Sequence, residues 1–109
     1  MKMKMIIAIV NSDDANTVSN NLIKNGFQIT KLSTQGGFMK AGNTTFLIGV
    51  AEEKVQEAID IIREYSKSRK QIIPTSAEMG INFFPAMPVE VMVGGATIFV
   101  VDVDRFEKA

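Results

Sequence analysis

The strongest constraint on this chain is a duplicated order of elements: an apolar β-type run, an amphipathic helical stretch and a second β-type run, read twice along the sequence. Residues 5–10 (MIIAIV) are nearly continuous in apolar and β-branched side chains, as suits a strand covered on both faces or placed at a subunit interface. Ser12, Asp13 and Asp14 then supply N-cap candidates and negative charge for a helix start. Ala15, Val18, Leu22 and Ile23 fall on one helical stripe, and Gly26 is placed to take the left-handed conformation that ends the helix. Phe27, Ile29 and Lys31 alternate with Gln28, Thr30 and Leu32, which closes the first unit with a strand.

The second unit opens with a strand at residues 44–50 (TTFLIGV), and Glu52-Glu53 starts its helix with charges suited to the dipole. Val55, Ala58, Ile59, Ile62 and Tyr65 form the apolar stripe, Lys67, Arg69 and Lys70 suit the C-terminal end, and either QII or VEVMV supplies the last strand. The order β-α-β-β-α-β predicts an α+β, ferredoxin-like fold: an antiparallel sheet with both helices on one face. A C-terminal hairpin follows, with residues 89–93 and 96–103 flanking Gly94-Gly95, a pair that tolerates the positive φ of a type I′ turn. Its 109 residues fit a single domain spanning 1–109. Helices on one side leave the other side of the sheet bare, and the strands are apolar in both registers, so that face is expected to bury itself against identical copies.

Residues 68–88 lack a clear period and are too long for an ordinary connection, which predicts a functional loop. Pro74, Gly80, Pro85 and Pro88 work against regular structure, while Ile72, Ile73, Ile81, Phe83 and Phe84 work against lasting exposure. A large flexible loop that packs when something binds beside it reconciles the two.

Composition narrows the chemistry. The chain has no Cys and no His, so thiol nucleophiles, thiolate metal sites and the commonest general base are missing. The pairs Asp13-Asp14 and Glu52-Glu53 are accounted for as helix starts, and Asp102 with Asp104 as a solvated edge, so neither a catalytic residue nor a metal site is expected and the chain reads as no enzyme. Twelve cationic and twelve acidic residues leave no field to attract DNA. The N-terminal apolar run is too short for a bilayer span and lacks a cleavage pattern, so no membrane association and a cytoplasmic location are expected.

What remains is the cluster in residues 34–45 (TQGGFMKAGNTT). As a plain hairpin loop, its glycines serve turn geometry and Phe38 caps the core. As a binding loop, Gly36-Gly37 let backbone N–H groups approach an anion, Phe38 offers a stacking face to a base, and Asn43, Thr44 and Thr45 add donors and acceptors. Neither a Walker motif nor GxGxxG is present. Lys67-Ser68-Arg69-Lys70 is explained by the helix dipole, with steering of a phosphate as the alternative.

Read together, FQITKLSTQGGFMKAGNTTFLIGV and PVEVMVGGATIFVVDVDRF strongly resemble the PII-like cyclic di-AMP receptors, the PstA family of bacterial signalling proteins, over nearly the whole length. The resemblance implies a homotrimer of ferredoxin-like subunits with one cyclic dinucleotide in each cleft between neighbours. It places ligand contacts on Gln28, Thr30, Gly36, Gly37, Phe38, Met39, Asn43, Gly49 and Phe99, with phosphate on the N–H groups near Gly36 and Gly37, an adenine on Phe38, and hydrogen bonds from Asn43 and Thr30. It also implies that the loop 68–88 orders on binding and alters the surface shown to an unidentified downstream protein. Gln28 stands where the family pattern carries an arginine, Gly26 where a polar residue often stands, Lys108 near a family glutamine, and MGINFFPAMP replaces a more polar Gly-Gly stretch. These departures motivate an alternative, a PII-like regulator of another nucleotide such as ATP or of a protein partner alone. No cofactor beyond the ligand is implied.

Overall fold

A computed structural model describes residues 2–32, 42–73 and 89–109. Within them the chain forms β1 (Met3–Asn11), α1 (Ser12–Lys24), β2 (Ile29–Leu32), β3 (Asn43–Ala51), a 3-10 turn (Glu52–Lys54) leading into α2 (Val55–Tyr65), β4 (Arg69–Ile73), β5 (Val89–Val93) and β6 (Ala96–Asp102). Four strands make an antiparallel sheet in the order β2-β3-β1-β6. This is the α+β, ferredoxin-like arrangement that the duplicated units predict.

Strand alternation sorts the side chains. Ile6, Ala8 and Val10 of β1 and Phe46, Ile48 and Val50 of β3 join Ala15, Val18 and Leu22 of α1 and Ala58 and Ile62 of α2 in one buried cluster. The helices therefore cover a single face, and Phe27 and Ile29 extend that cluster at the β2 edge. Ile23, expected on the α1 stripe, is instead turned to solvent.

The start of α1 differs in detail from the expectation. Asn11 is the N-cap, its Oδ1 accepting from the Asp13 N–H at 2.8 Å. Ser12 turns to β3, where its hydroxyl lies 2.8 Å from that of Thr44. At the other end Gly26 has φ +91° as expected, and the Phe27 N–H bonds back to the Leu22 carbonyl at 3.0 Å.

The last strands are paired differently from the expectation. Neither QII nor VEVMV completes the second unit: β6 lies beside β1, while β4 and β5 pair with each other in a separate two-stranded ribbon. The start of the expected loop 68–88 is thus a strand, and residues 74–88 lie outside the described residues. Gly94 and Gly95 do take positive φ, +86° and +85°, but they carry the chain from the ribbon into the main sheet instead of folding β6 back on β5. The reason is competition for partners: β1 offers β6 a register from Lys4↔Asp102 to Val10↔Ala96, and β5 finds its mate in β4.

Arg69 anchors the base of this ribbon. Its guanidinium grips the buried Asp14 of α1 in a fork, with Nη2 3.0 Å from Oδ1 and Nη1 3.2 Å from Oδ2, and Nη1 also donates to the Lys67 carbonyl at 3.1 Å. Of the basic run expected at the end of α2, this arginine therefore serves a tertiary ion pair and belongs to β4. The Gly95 N–H closes the base by donating to the Ser66 carbonyl.

Candidate functional site

The registers fix which residues share the sheet face opposite the helices. Thr30, Leu47, Ile7 and Phe99 are cross-strand partners in one row, and Gly49, Met5 and Val101 form the next row toward one end. Leu32, Thr45, Ile9 and Thr97 form the row on the other side. Gln28 and Asn43 fall on the same face by alternation. All five described residues expected in the site, Gln28, Thr30, Asn43, Gly49 and Phe99, therefore lie on one face. Gly36, Gly37, Phe38 and Met39 lie outside the described residues.

The five are not all together on that face. Gln28, Thr30 and Gly49 line a cleft of about 400 Å³ that is closed on one side by the tail after β6, with Arg105 and Phe106 at its wall. Asn43 borders a different hollow of about 340 Å³, formed with Asn11, Gly94, Gly95 and Thr97 at the other end of the strands. Six residue steps along the extended strand separate Asn43 from Gly49, roughly 20 Å. Phe99 stands between the two hollows, 52% exposed, in the same row as Thr30.

Each position has a local cause. Gly49 sits opposite Met5 with an ordinary extended backbone, and a Cβ there would meet nothing within 4 Å, so its hydrogen leaves space and not conformational freedom. Thr30 is exposed on an edge strand. Asn43 is the first residue of β3, where the Gly42 carbonyl accepts the Ser12 N–H at 2.6 Å and ties the strand to the start of α1. Arg105 and Phe106 follow β6 in irregular chain, where no periodicity in the sequence marks them as lining a cleft.

Charge at the cleft is uneven. Lys4 donates to Asp102 and lies 3.9 Å from Glu52 Oε2. The hydrogen bond to Asp102 holds the Lys4 ammonium pKa above its ordinary value, and the same contact holds the Asp102 carboxyl below its own. Asp102 is thus one half of an ion pair, and Asp104 lies beyond the strand. Among the described residues, no group of three His, Cys, Asp or Glu is placed to hold a metal ion, and no helix is long and apolar enough to cross a membrane.

Comparison with known proteins adds to this geometry. Residues 3–109 match the family described as cyclic-di-AMP receptor. Among solved structures, a functionally unknown protein from Pediococcus pentosaceus ATCC 25745 is 42% identical, with 100% of this chain and 99% of that one covered and a TM-score of 0.76. Arabidopsis thaliana PII, solved bound to citrate, is 24% identical over 94% of this chain and 78% of that one, with a TM-score of 0.59, a likeness of fold alone.

Proposed function

The chain belongs to the cyclic-di-AMP receptor family, and from that premise we propose that it is a non-catalytic, cytoplasmic bacterial signalling receptor that binds cyclic di-AMP between the subunits of a homotrimer. One observation carries the reading. The expected contacts share the helix-free face but stand at its two ends, Asn43 in one hollow and Gln28, Thr30 and Gly49 in the other. A single cyclic dinucleotide does not bridge roughly 20 Å of strand within one chain. Neighbouring copies that bring the Asn43 end of one subunit against the Gln28 end of the next complete a site from both halves. Phe99, Leu32 and Val101, all more than 40% exposed on that face, gain cover in the same step.

The output follows from what borders Asn43. Gly94, Gly95 and Thr97 share its hollow, so a ligand there touches the joint between the β4-β5 ribbon and the main sheet. Binding thereby reaches the segment between β4 and β5, which presents an altered surface to a downstream protein.

Calorimetry combined with light scattering tests both parts. A trimeric mass, one cyclic di-AMP per chain, and weaker binding by both Asn43→Ala and Gln28→Ala are expected. A monomer that binds with full affinity, or a trimer that binds no cyclic di-AMP, overturns the proposal. Thermal stabilisation by ATP and none by cyclic di-AMP supports the alternative ligand instead.

A further inference from the structure

Resting on the receptor reading above, we infer that Arg105 is the phosphate-binding cation of the Gln28-Thr30-Gly49 cleft and that Glu107 holds its guanidinium until the ligand displaces it.

A cyclic dinucleotide carries two phosphodiester anions, and an anion taken out of water needs a cation or convergent N–H donors. The described residues lining this cleft include two cations, Lys4 and Arg105, and one anion, Glu107. Lys4 is committed elsewhere. Its register partner on β6 is Asp102, to which it donates, and Glu52 adds a second carboxylate at 3.9 Å. By alternation with Ile6 its side chain also belongs to the helix-covered side of β1.

Arg105 is differently placed. Its Nη2 pairs with Glu107 Oε2, only two residues along an irregular tail, and the two side chains are 79% and 67% exposed. An ion pair so open to water is weak and is exchanged cheaply for a better anion. The guanidinium is a planar fork that suits a phosphodiester as well as it suits a carboxylate. Phe106, between the two, lines this cleft and also the adjoining hollow of about 310 Å³ beside Gly26, Gln28 and Gly49. Phe106, itself 59% exposed, thus borders both hollows, with Arg105 and Glu107 at the cleft wall.

Two consequences differ in sign. Removing the guanidinium removes a charge-assisted contact to phosphate and weakens binding. Removing the Glu107 carboxylate frees the guanidinium and removes a like charge from beside the phosphate, so binding tightens.

Calorimetry with cyclic di-AMP at low and high salt, on the full chain and the variants Arg105→Gln, Glu107→Gln and the double variant, tests this. Arg105→Gln is expected to weaken binding by about 10- to 100-fold, to make it less sensitive to salt, and to leave the melting temperature unchanged. Glu107→Gln is expected to tighten binding by about two- to five-fold, a gain that shrinks in the Arg105→Gln background to the share owed to the removed like charge. Full-strength binding by Arg105→Gln overturns the inference and leaves the receptor reading standing. Weaker binding by Glu107→Gln, or a salt dependence that Arg105→Gln does not change, also overturns it. Failure of the unsubstituted protein to bind overturns the receptor reading and this inference with it.

Discussion

The two faces of the main sheet are built from the same strands and the same hydrogen bonds, yet they do opposite things. On the helix side Ile6, Ala8, Val10, Phe46, Ile48 and Val50 are at most 5% exposed. One residue away along each strand, Met5, Ile7, Ile9 and Leu47 are only partly covered, Gly49 is open, and Phe99 and Val101 are exposed. Strand alternation therefore separates the packed core from the open face at single-residue resolution: Ile48 fills the core, and Gly49 leaves room beside a cleft. What differs between the faces is the second layer, because α1 and α2 both pack on one side and, among the described residues, no element covers the other.

The sharpest way to break this comparison is to replace one phenylalanine on each face. Phe46→Ala empties the largest fully buried side chain among the described residues and is expected to cost about 3–5 kcal/mol, a fall of more than roughly 12 °C in melting temperature. Phe99→Glu, on the open face, is expected to keep the far-ultraviolet circular dichroism of the fold while lowering the mass measured by sedimentation. A Phe99 variant that unfolds as Phe46→Ala does, or that sediments unchanged, removes the distinction between the faces.

A smaller effect is expected where the ribbon joins the sheet. Gly94 has φ +86°, and a Cβ there would lie 2.6 Å from Arg69 Nη1 and 2.7 Å from the Lys67 carbonyl. The guanidinium can swing aside at the expense of its Asp14 fork, but the carbonyl is backbone and cannot. Gly94→Ala should cost about 2–4 kcal/mol, backbone strain and crowding together. Gly26, at φ +91° with open space around its missing Cβ, is the control: Gly26→Ala carries only the backbone strain, about 1–2 kcal/mol. Denaturant titration gives the order, and a Gly26 variant as damaged as the Gly94 one would deny the close packing at the ribbon base.

Gly49→Leu then sharpens the comparison in the opposite direction. Its Cβ meets nothing, its backbone is ordinary, and the new side chain points into the cleft with Gln28 and Thr30. Folding stability should stay within about 1 kcal/mol, while cyclic di-AMP binding falls about tenfold or more by occlusion. Calorimetry beside a thermal melt reads the two separately.

How much of this was legible in the sequence follows the same division. The covered face was readable because it obeys local periods: the stripe Ala15, Val18, Leu22 and the alternation of Phe27 and Ile29 each need only neighbouring residues. The shared face of Gln28 and Thr30 follows from that alternation too. The partners of the last strands were not readable, since Arg69–Ile73 and Val89–Val93 compete with Ala96–Asp102 for sheet edges, and the outcome depends on register with β1 instead of composition. Asp14 looked like a helix-start charge because its arginine stands 55 residues away. Arg105 lies in the stretch that carries the family resemblance yet drew no role from it, because a tail without a period gives no hint of what it lines.

The least effect is expected at the rim of the covered face, where Lys4 and Asp102 pair on the helix side beyond the buried cluster. The hydrogen bond from Lys4 holds the Asp102 carboxyl below its ordinary pKa of 3.8. A carboxyl whose folded pKa is depressed contributes stability above the unfolded value and loses it as pH falls through the folded one. The loss should therefore appear as a steepening of melting temperature against pH below about 4. Lys4 mirrors it: its folded pKa is raised above 10.5, so its share is present below that value and fades as pH climbs through the raised one. Asp102→Asn should flatten both flanks while leaving the neutral plateau nearly level, since the Asp102 side chain is largely solvated and such pairs contribute little. A plateau that drops as far as it does in Phe46→Ala would mean that the rim, and not the row from Ile6 to Val10, holds the sheet to its helices.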